Sequence, residues 1–411
     1  MTAESLFIII LLIYVANFLL DNYLDYLNLQ YKKKPLPAEL EGIYSPEDYQ
    51  KSLDYQRVNL NFGFLTGTLV FIVTLVLLIT GFFGWFSDEL GKYISDPIWH
   101  GLAYFAILTI VGDILTFPFQ WYSIFEIEEK FGFNKTTPKL FILDKIKGYA
   151  LGAVIGGLLG FIFFYLILNI GANFWIYFWV ISLAFSLFMS VFYTNLILPF
   201  FNKLTPLPEG ELRQAIQNYC QKVNFPLNNL FVIDGSKRST KANAFFTGLG
   251  KRKKVVLYDT LIEKHSQEEL VAVLAHEVGH YKKRHIPLSL GLSALQTGLI
   301  LWVLSLFIFN PTLSQALGAK NWSIPLNLMA FSYLLSPISM LIGLFFNVLS
   351  RKNEYEADAY AGQTYQAEAL ATALKKLSTD NLSNLNPHPW YVFFHYSHPP
   401  LLARLRALQK N

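Results

Sequence analysis

GYALGAVIGGLLGFIFFYLILNIGANFWIYFWVISLAFSLFMSVFYTNLILPFFN, residues 148–202, contains no Asp, Glu, Lys or Arg. A membrane pass needs roughly 20 apolar residues, so this stretch is long enough for two, with the break at NIGAN, 169–173. Composition supports a membrane protein: of 411 residues, 53% are hydrophobic and only 15% charged, whereas soluble domains carry about 25% charge. Further spans are expected near 5–22, 62–86, 98–121, 287–309 and 325–349, seven in all. The first is the shortest apolar run; a cleaved signal peptide is its alternative, but no basic segment precedes it, so a retained helix is expected.

Alternating these spans puts the N-terminus and the loops near 87–97, 170–173 and 310–324 on one side. That side holds just Lys92 and Lys320 of the 33 Lys and Arg. The positive-inside rule then places the opposite side, with the C-terminus, in the cytoplasm. The formal charge of +4 needs no nucleic acid. The basic clusters Lys32–Lys34 and Lys251–Lys254 read as topology signals or contacts to anionic lipid. A single cysteine, Cys220, excludes an intramolecular disulfide and suits a reducing compartment.

Residues 1–200 read as a five-span membrane unit, with 23–61 as a cytoplasmic connector. Residues 201–411 read as a second unit with two further spans. Its start breaks from the membrane composition: an amphipathic helix in PLPEGELRQAIQNYCQKVNF, a strand in LFVIDG, and strands in ANAFF and VVLYD around a glycine-rich basic turn. SQEELVAVLAHEVGHYKKRH follows, with Ser266 and Glu269 placed as a capping box, and Pro287 ending or kinking the helix. The expected class is therefore mainly α: a polytopic membrane protein carrying a small α/β unit on its cytosolic face.

HEVGH at 276–280 sets His276 and His280 one helical turn apart on one face, with Glu277 beside them. Two imidazoles and a neighbouring carboxylate suit a zinc peptidase, which takes three protein ligands and leaves one position open. The hairpin of the last two spans returns SRKNEYEADAYA, 350–361, to the same face, offering Glu354 as third ligand. Asp358, four residues on, could orient a ligating imidazole. Glu356 projects elsewhere and is the poorer ligand, and His285 is out of register and reads as exposed. Such a site would make a water nucleophilic and use Glu277 as general base. The oxyanion donor stays open among His388, His395, His398, Arg404 and Arg406. Intramembrane Asp113 is the one feature that suggests transport; a helix contact or the lining of a chamber is an equal reading.

These residues resemble the type I CAAX prenyl proteases, seven-span zinc endopeptidases. The likeness rests on EEKFGFNKTT (128–137), LPFFNKLTPLPEGELR (198–213), ANAFFTGLGKRKKVVLYDTL (242–261), LAHEVGH (274–280), SRKNEYEADAYA (350–361) and YSHPPLLARLRAL (396–408). It implies one zinc on His276, His280 and Glu354, with Glu277 as base and Asp358 supporting the ligands. It also implies His398 as oxyanion stabiliser with Arg404 nearby, and Asn243 and Ala244 on an edge strand that pairs with substrate. A helical barrel around a large chamber, peptide or lipidated-peptide substrates, lipid contacts and a monomer are the further expectations. A compact chain ending QKN, with no dilysine-type signal, suggests a bacterial inner membrane rather than endoplasmic reticulum. The alternative role is quality control of membrane proteins with unprenylated substrates.

Overall fold

The computed structural model describes residues 1–31, 36–227, 229–247 and 254–410. The Lys32–Lys34 cluster and most of the basic turn expected after Thr247 lie outside the described residues. In the first half, α1 (Ala3–Tyr31), α2 (Pro46–Ile79), α3 (Phe82–Gly91) and α4 (Pro97–Tyr122) are followed by α5 (Pro138–Leu151), which runs through a π-helical turn into α6 (Gly157–Ile170). The chain reverses at Gly171, whose φ of 67° suits glycine, and α7 (Phe174–Leu196) returns antiparallel. Phe163 packs edge-on against Phe174 and Phe178, with ring centroids 5.6 and 4.6 Å away.

Six helical stretches are long and apolar enough to cross a membrane, and one of them, Pro138–Phe200, is this folded-back pair. The pair supplies two passes, giving seven by length. Leu65, Leu69, Ile72, Val76 and Ile79 on α2 are all exposed, as expected where lipid replaces water. On one side of the bundle Ser87 Oγ lies 2.9 Å from Ser323 Oγ, and the Lys320 amide donates to Asp88 at 2.9 Å. On the other, Asn28 near the end of α1 accepts from the His388 amide at 3.1 Å.

The helices overrun the apolar spans. The connector expected over 23–61 is mostly helix, because DNYLDYLNLQY prolongs α1 to Tyr31 and α2 already starts at Pro46. Ser45 caps α2 by accepting from the Asp48 amide at 3.0 Å. Hydropathy marks where a helix enters lipid, not where it begins.

The second half comprises β1 (Leu204–Pro206), α8 (Glu211–Lys222), β2 (Leu230–Ile233), β3 (Ala244–Thr247), β4 (Lys254–Tyr258), α9 (Asp259–Lys264), α10 (Gln267–Lys282), α11 (His285–Phe307), α12 (Pro311–Ala316), α13 (Ile324–Thr364), α14 (Ala367–Asp380), α15 (Pro389–His395) and α16 (Leu401–Leu408). Among the described residues the sheet order is β1-β2-β4-β3, with β2 and β4 parallel and the other pairs antiparallel. β3 is thus an edge. Strand β1, which ends in proline, carries no strand signature of its own; it forms by pairing with β2.

Helix α10 starts at the Ser266–Glu269 capping box, with both reciprocal bonds present. Its Leu270, Val271, Leu274 and Val278 are buried in a core shared with Ile216, Leu257 and Leu370. Opposite it runs α13, a single helix of 41 residues whose first part crosses the membrane and whose last part carries Glu354 and Asp358. The two helices touch at Gly279. A Cβ there would lie 2.9 Å from Ala357 Cα and 3.0 Å from its carbonyl oxygen. Gly279→Ala should therefore force α10 off α13 at a cost of roughly 1–3 kcal/mol. Purified variant with lowered Tm and substoichiometric metal is the expected result; parental Tm and metal content would contradict this packing account.

Candidate metal centre

The capped α10 and the continuous α13 bring His276, His280 and Glu354 together, with their ligand atoms all within 4.8 Å of one another. His276 Nε2 is 3.1 Å from His280 Nε2 and 3.4 Å from Glu354 Oε2, and His280 Nε2 is 3.2 Å from Glu354 Oε1. Tetrahedral zinc with ligands at about 2.0–2.1 Å places ligand atoms about 3.3 Å apart. The triangle fits that spacing. Glu354 Oε2 is buried and has no hydrogen-bond partner, an expensive condition for a carboxylate oxygen and one that a cation would relieve.

Around the triangle, Asp358 Oδ1 lies 2.8 Å from His276 Nδ1, on the side of the ring away from the cluster. Asp358 is itself gripped by Arg404, which donates from Nε at 2.8 Å and from Nη2 at 2.6 Å. Arg404 Nη1 also sits 3.4 Å from Glu354 Oε2. Of the three tail histidines, His398 alone approaches the cluster, with Nε2 3.3 Å from Glu354 Oε1 and its side chain 64% exposed. His388 instead caps α15, His395 lies tilted against the Tyr391 ring, and Arg406 pairs with Glu39. Glu277 lines, with the three cluster residues, a cavity of about 630 Å³.

Asn243, Ala244 and Phe245 form one wall of that cavity. Asn243 is exposed rather than part of a sheet core. The Tyr258 amide donates to Asn243 carbonyl at 3.1 Å, so by antiparallel alternation the backbone groups of Ala244 point away from β4. The Ala244 amide is met there by Asn243's own side-chain oxygen at 2.8 Å. Two charged clamps hold the approach to this edge. Arg238 makes a bidentate pair with Asp144 of α5 at 2.8 and 2.9 Å, and Lys241 pairs with Glu128 at 2.8 Å.

One residue departs from the sequence reading. His285 is not exposed but buried, with Nδ1 3.0 Å from His280 Nδ1, and Glu356 reaches its Nε2 at 3.1 Å. The α10 helix ends at Lys282 and Arg284 turns left-handed (φ 61°), which resets the register before His285. A continuous-helix count misses this; the Pro287 that follows was the available signal. Asp113 makes the helix contact: Lys145 bridges to it at 2.7 Å from α5.

A seven-pass helical body with a two-histidine, one-glutamate cluster beside a free sheet edge is the build of an integral-membrane metallopeptidase. Residues 25–203 match the family described as CAAX prenyl protease N-terminal, five membrane helices, and residues 206–411 match peptidase family M48. The CAAX prenyl protease 1 homolog of Oryza sativa is 37% identical over 404 residues, covering 96% of this chain and 95% of the relative. CAAX prenyl protease 1 of Saccharomyces cerevisiae is 33% identical over 423 residues, covering 96% and 93%. The crystal structure of S. mikatae Ste24p shares the fold at a TM-score of 0.93 with 34% identity, covering 99% of this chain and all of that one. The chain belongs to the CAAX prenyl protease family, within peptidase family M48, and is a membrane-embedded metalloprotease. The relatives are eukaryotic and lend no support to the bacterial inner membrane expected from the compact chain; they do not favour the quality-control alternative either.

Burial would depress the basicity of His276, but hydrogen bonds to Asp358 and Glu354 outweigh it and push the pKa from 6.5 up to about 9. With folded pKa above unfolded, this proton stabilises the ion-free fold fully below pH 6.5, and that contribution fades as pH rises through about 9. A metal ion must displace the same proton. Metal affinity, measured by chelator competition, should therefore rise up to tenfold per pH unit between 6.5 and about 9; a flat profile would contradict the shared proton.

Proposed function

We propose that the protein is a zinc endopeptidase cutting near the C-termini of prenylated proteins, with its site on the cytoplasmic face. The carrying observation is the His276–His280–Glu354 triangle beside the outward-facing edge of β3. The likeness to CAAX prenyl proteases supports the substrate class, and the asymmetry of Lys and Arg supports the orientation. Residues 1–200 serve as the membrane unit and 201–411 as the peptidase unit, which borrows α11 and α13 as spans. The protein acts as a monomer in contact with lipid.

His276, His280 and Glu354 hold the zinc. When bound, that ion polarises the scissile carbonyl and acidifies water. The substrate backbone pairs with Ala244 along β3, displacing the Asn243 side-chain oxygen from the Ala244 amide. Glu277 accepts a proton from the attacking water at its carboxylate and delivers it to the leaving amine. His398, exposed at the cavity mouth, turns its ring N–H to the developing oxyanion. Asp358 and Arg404 touch no substrate; they fix the His276 ring and balance the charge of Glu354.

The test uses full-length protein in liposomes with a farnesylated C-terminal peptide and its unprenylated counterpart. Glu277→Gln should retain one zinc and lose roughly 10²–10⁴-fold in kcat, and Glu354→Ala should lose the metal. Wild-type-like cleavage by Glu277→Gln, or equal cleavage of both peptides, would contradict the proposal. Ala244→Pro removes an amide outside the β3–β4 ladder and should raise KM with little change in Tm. An unchanged KM would refute pairing at that edge.

A further inference from the structure

The two histidines of the cluster are steadied differently. His276 meets a carboxylate directly, whereas His280 meets another imidazole: its Nδ1 is 3.0 Å from Nδ1 of His285, with the rings 5.1 Å apart and inclined by 72°. His285 spends its second nitrogen on Glu356, with Nε2 3.1 Å from Oε2. Both ring nitrogens of a buried side chain are thus committed to one line, His280–His285–Glu356.

The protons on that line can be placed. His280 Nε2 faces His276 and Glu354, so its lone pair belongs there and its proton sits on Nδ1. That proton is donated to the Nδ1 lone pair of His285. The His285 proton must then occupy Nε2, where Glu356 accepts it. Neutral imidazoles satisfy every contact in one arrangement only.

The backbone serves the same end. Arg284, with φ 61° and ψ 31°, is one of three non-glycine residues at positive φ among those described. This left-handed residue closes α10 and starts α11 so that His285 points back at His280. Such conformations persist where the surrounding structure demands them, often at functional sites. Helix α13 then serves both ligands. Glu354 and Asp358 face α10, while Glu356 faces the α10–α11 corner, the direction that made it a poor ligand.

We propose that His285, held by Glu356, is a positioning residue for the metal: it fixes the tautomer and ring orientation of His280 and so tightens zinc binding. The proposal rests on His280 being a ligand, as proposed above.

The experiment measures zinc affinity by chelator competition in full-length, detergent-purified protein, with Tm and the visible spectrum of the cobalt-substituted form recorded alongside. His285→Ala should bind zinc about 10–100-fold more weakly and shift the cobalt bands. His285→Asn, whose side-chain oxygen can occupy the Nδ1 position and accept the His280 proton, should recover most of the affinity. Glu356→Ala should weaken zinc binding in the same direction. Parental affinity in His285→Ala, or equal weakening in the Ala and Asn variants in step with Tm, would overturn the proposal. His276→Ala and His280→Ala run in parallel: retention of stoichiometric zinc there would instead reject the ligand set itself.

Discussion

The structure turns on burying two carboxylates next to two imidazoles where α10 crosses α13. Glu354 and Asp358 are 4% and 1% exposed, and isolated charges in such a place cost several kcal/mol each. Arg404 offsets one of the two. The remaining negative charge calls for a cation, and either a proton on His276 or a divalent ion supplies it. The raised basicity of His276 and the Glu354 oxygen left without a hydrogen bond are therefore two expressions of one imbalance. Gly279 permits it, because only a missing Cβ lets the helices approach closely enough to share the site.

The membrane body holds this crossing in place. α13 is one uninterrupted helix from the far side of the bundle to Thr364, so Glu354 is rigidly continuous with a transmembrane span. The opposite wall is tied down too. Arg238 on Asp144 and Lys241 on Glu128 anchor the segment before β3 to helices of the first half. The edge of β3 and the His276–His280–Glu354 cluster are thus both referenced to the same bundle.

Much of this was legible in the residues. The charge-free stretch 148–202 and its break at Gly171 announced the folded-back pair, and HEVGH with Glu354 and Asp358 announced the cluster. Those signals are local or follow from spans returning to a known face. What stayed hidden depended on backbone geometry. The left-handed turn at Arg284 broke the periodicity on which the reading of His285 relied, and with it the use of Glu356. Strand β1 borrows its conformation from β2, and the polar extensions of α1 and α2 carry no hydropathy signal. Asn243 capping its neighbour's amide is a side-chain rotamer, which a motif cannot encode.

The central claim is that one ion is held by ligands from two separate helices, two imidazoles from α10 and a carboxylate from α13. X-ray absorption at the zinc edge of the purified full-length protein tests it most directly. The account predicts nitrogen and oxygen neighbours at about 2.0–2.1 Å, two imidazole scattering patterns, and loss of that spectrum in Glu354→Ala. A sulfur neighbour, a single imidazole, or an unchanged spectrum in Glu354→Ala would contradict it.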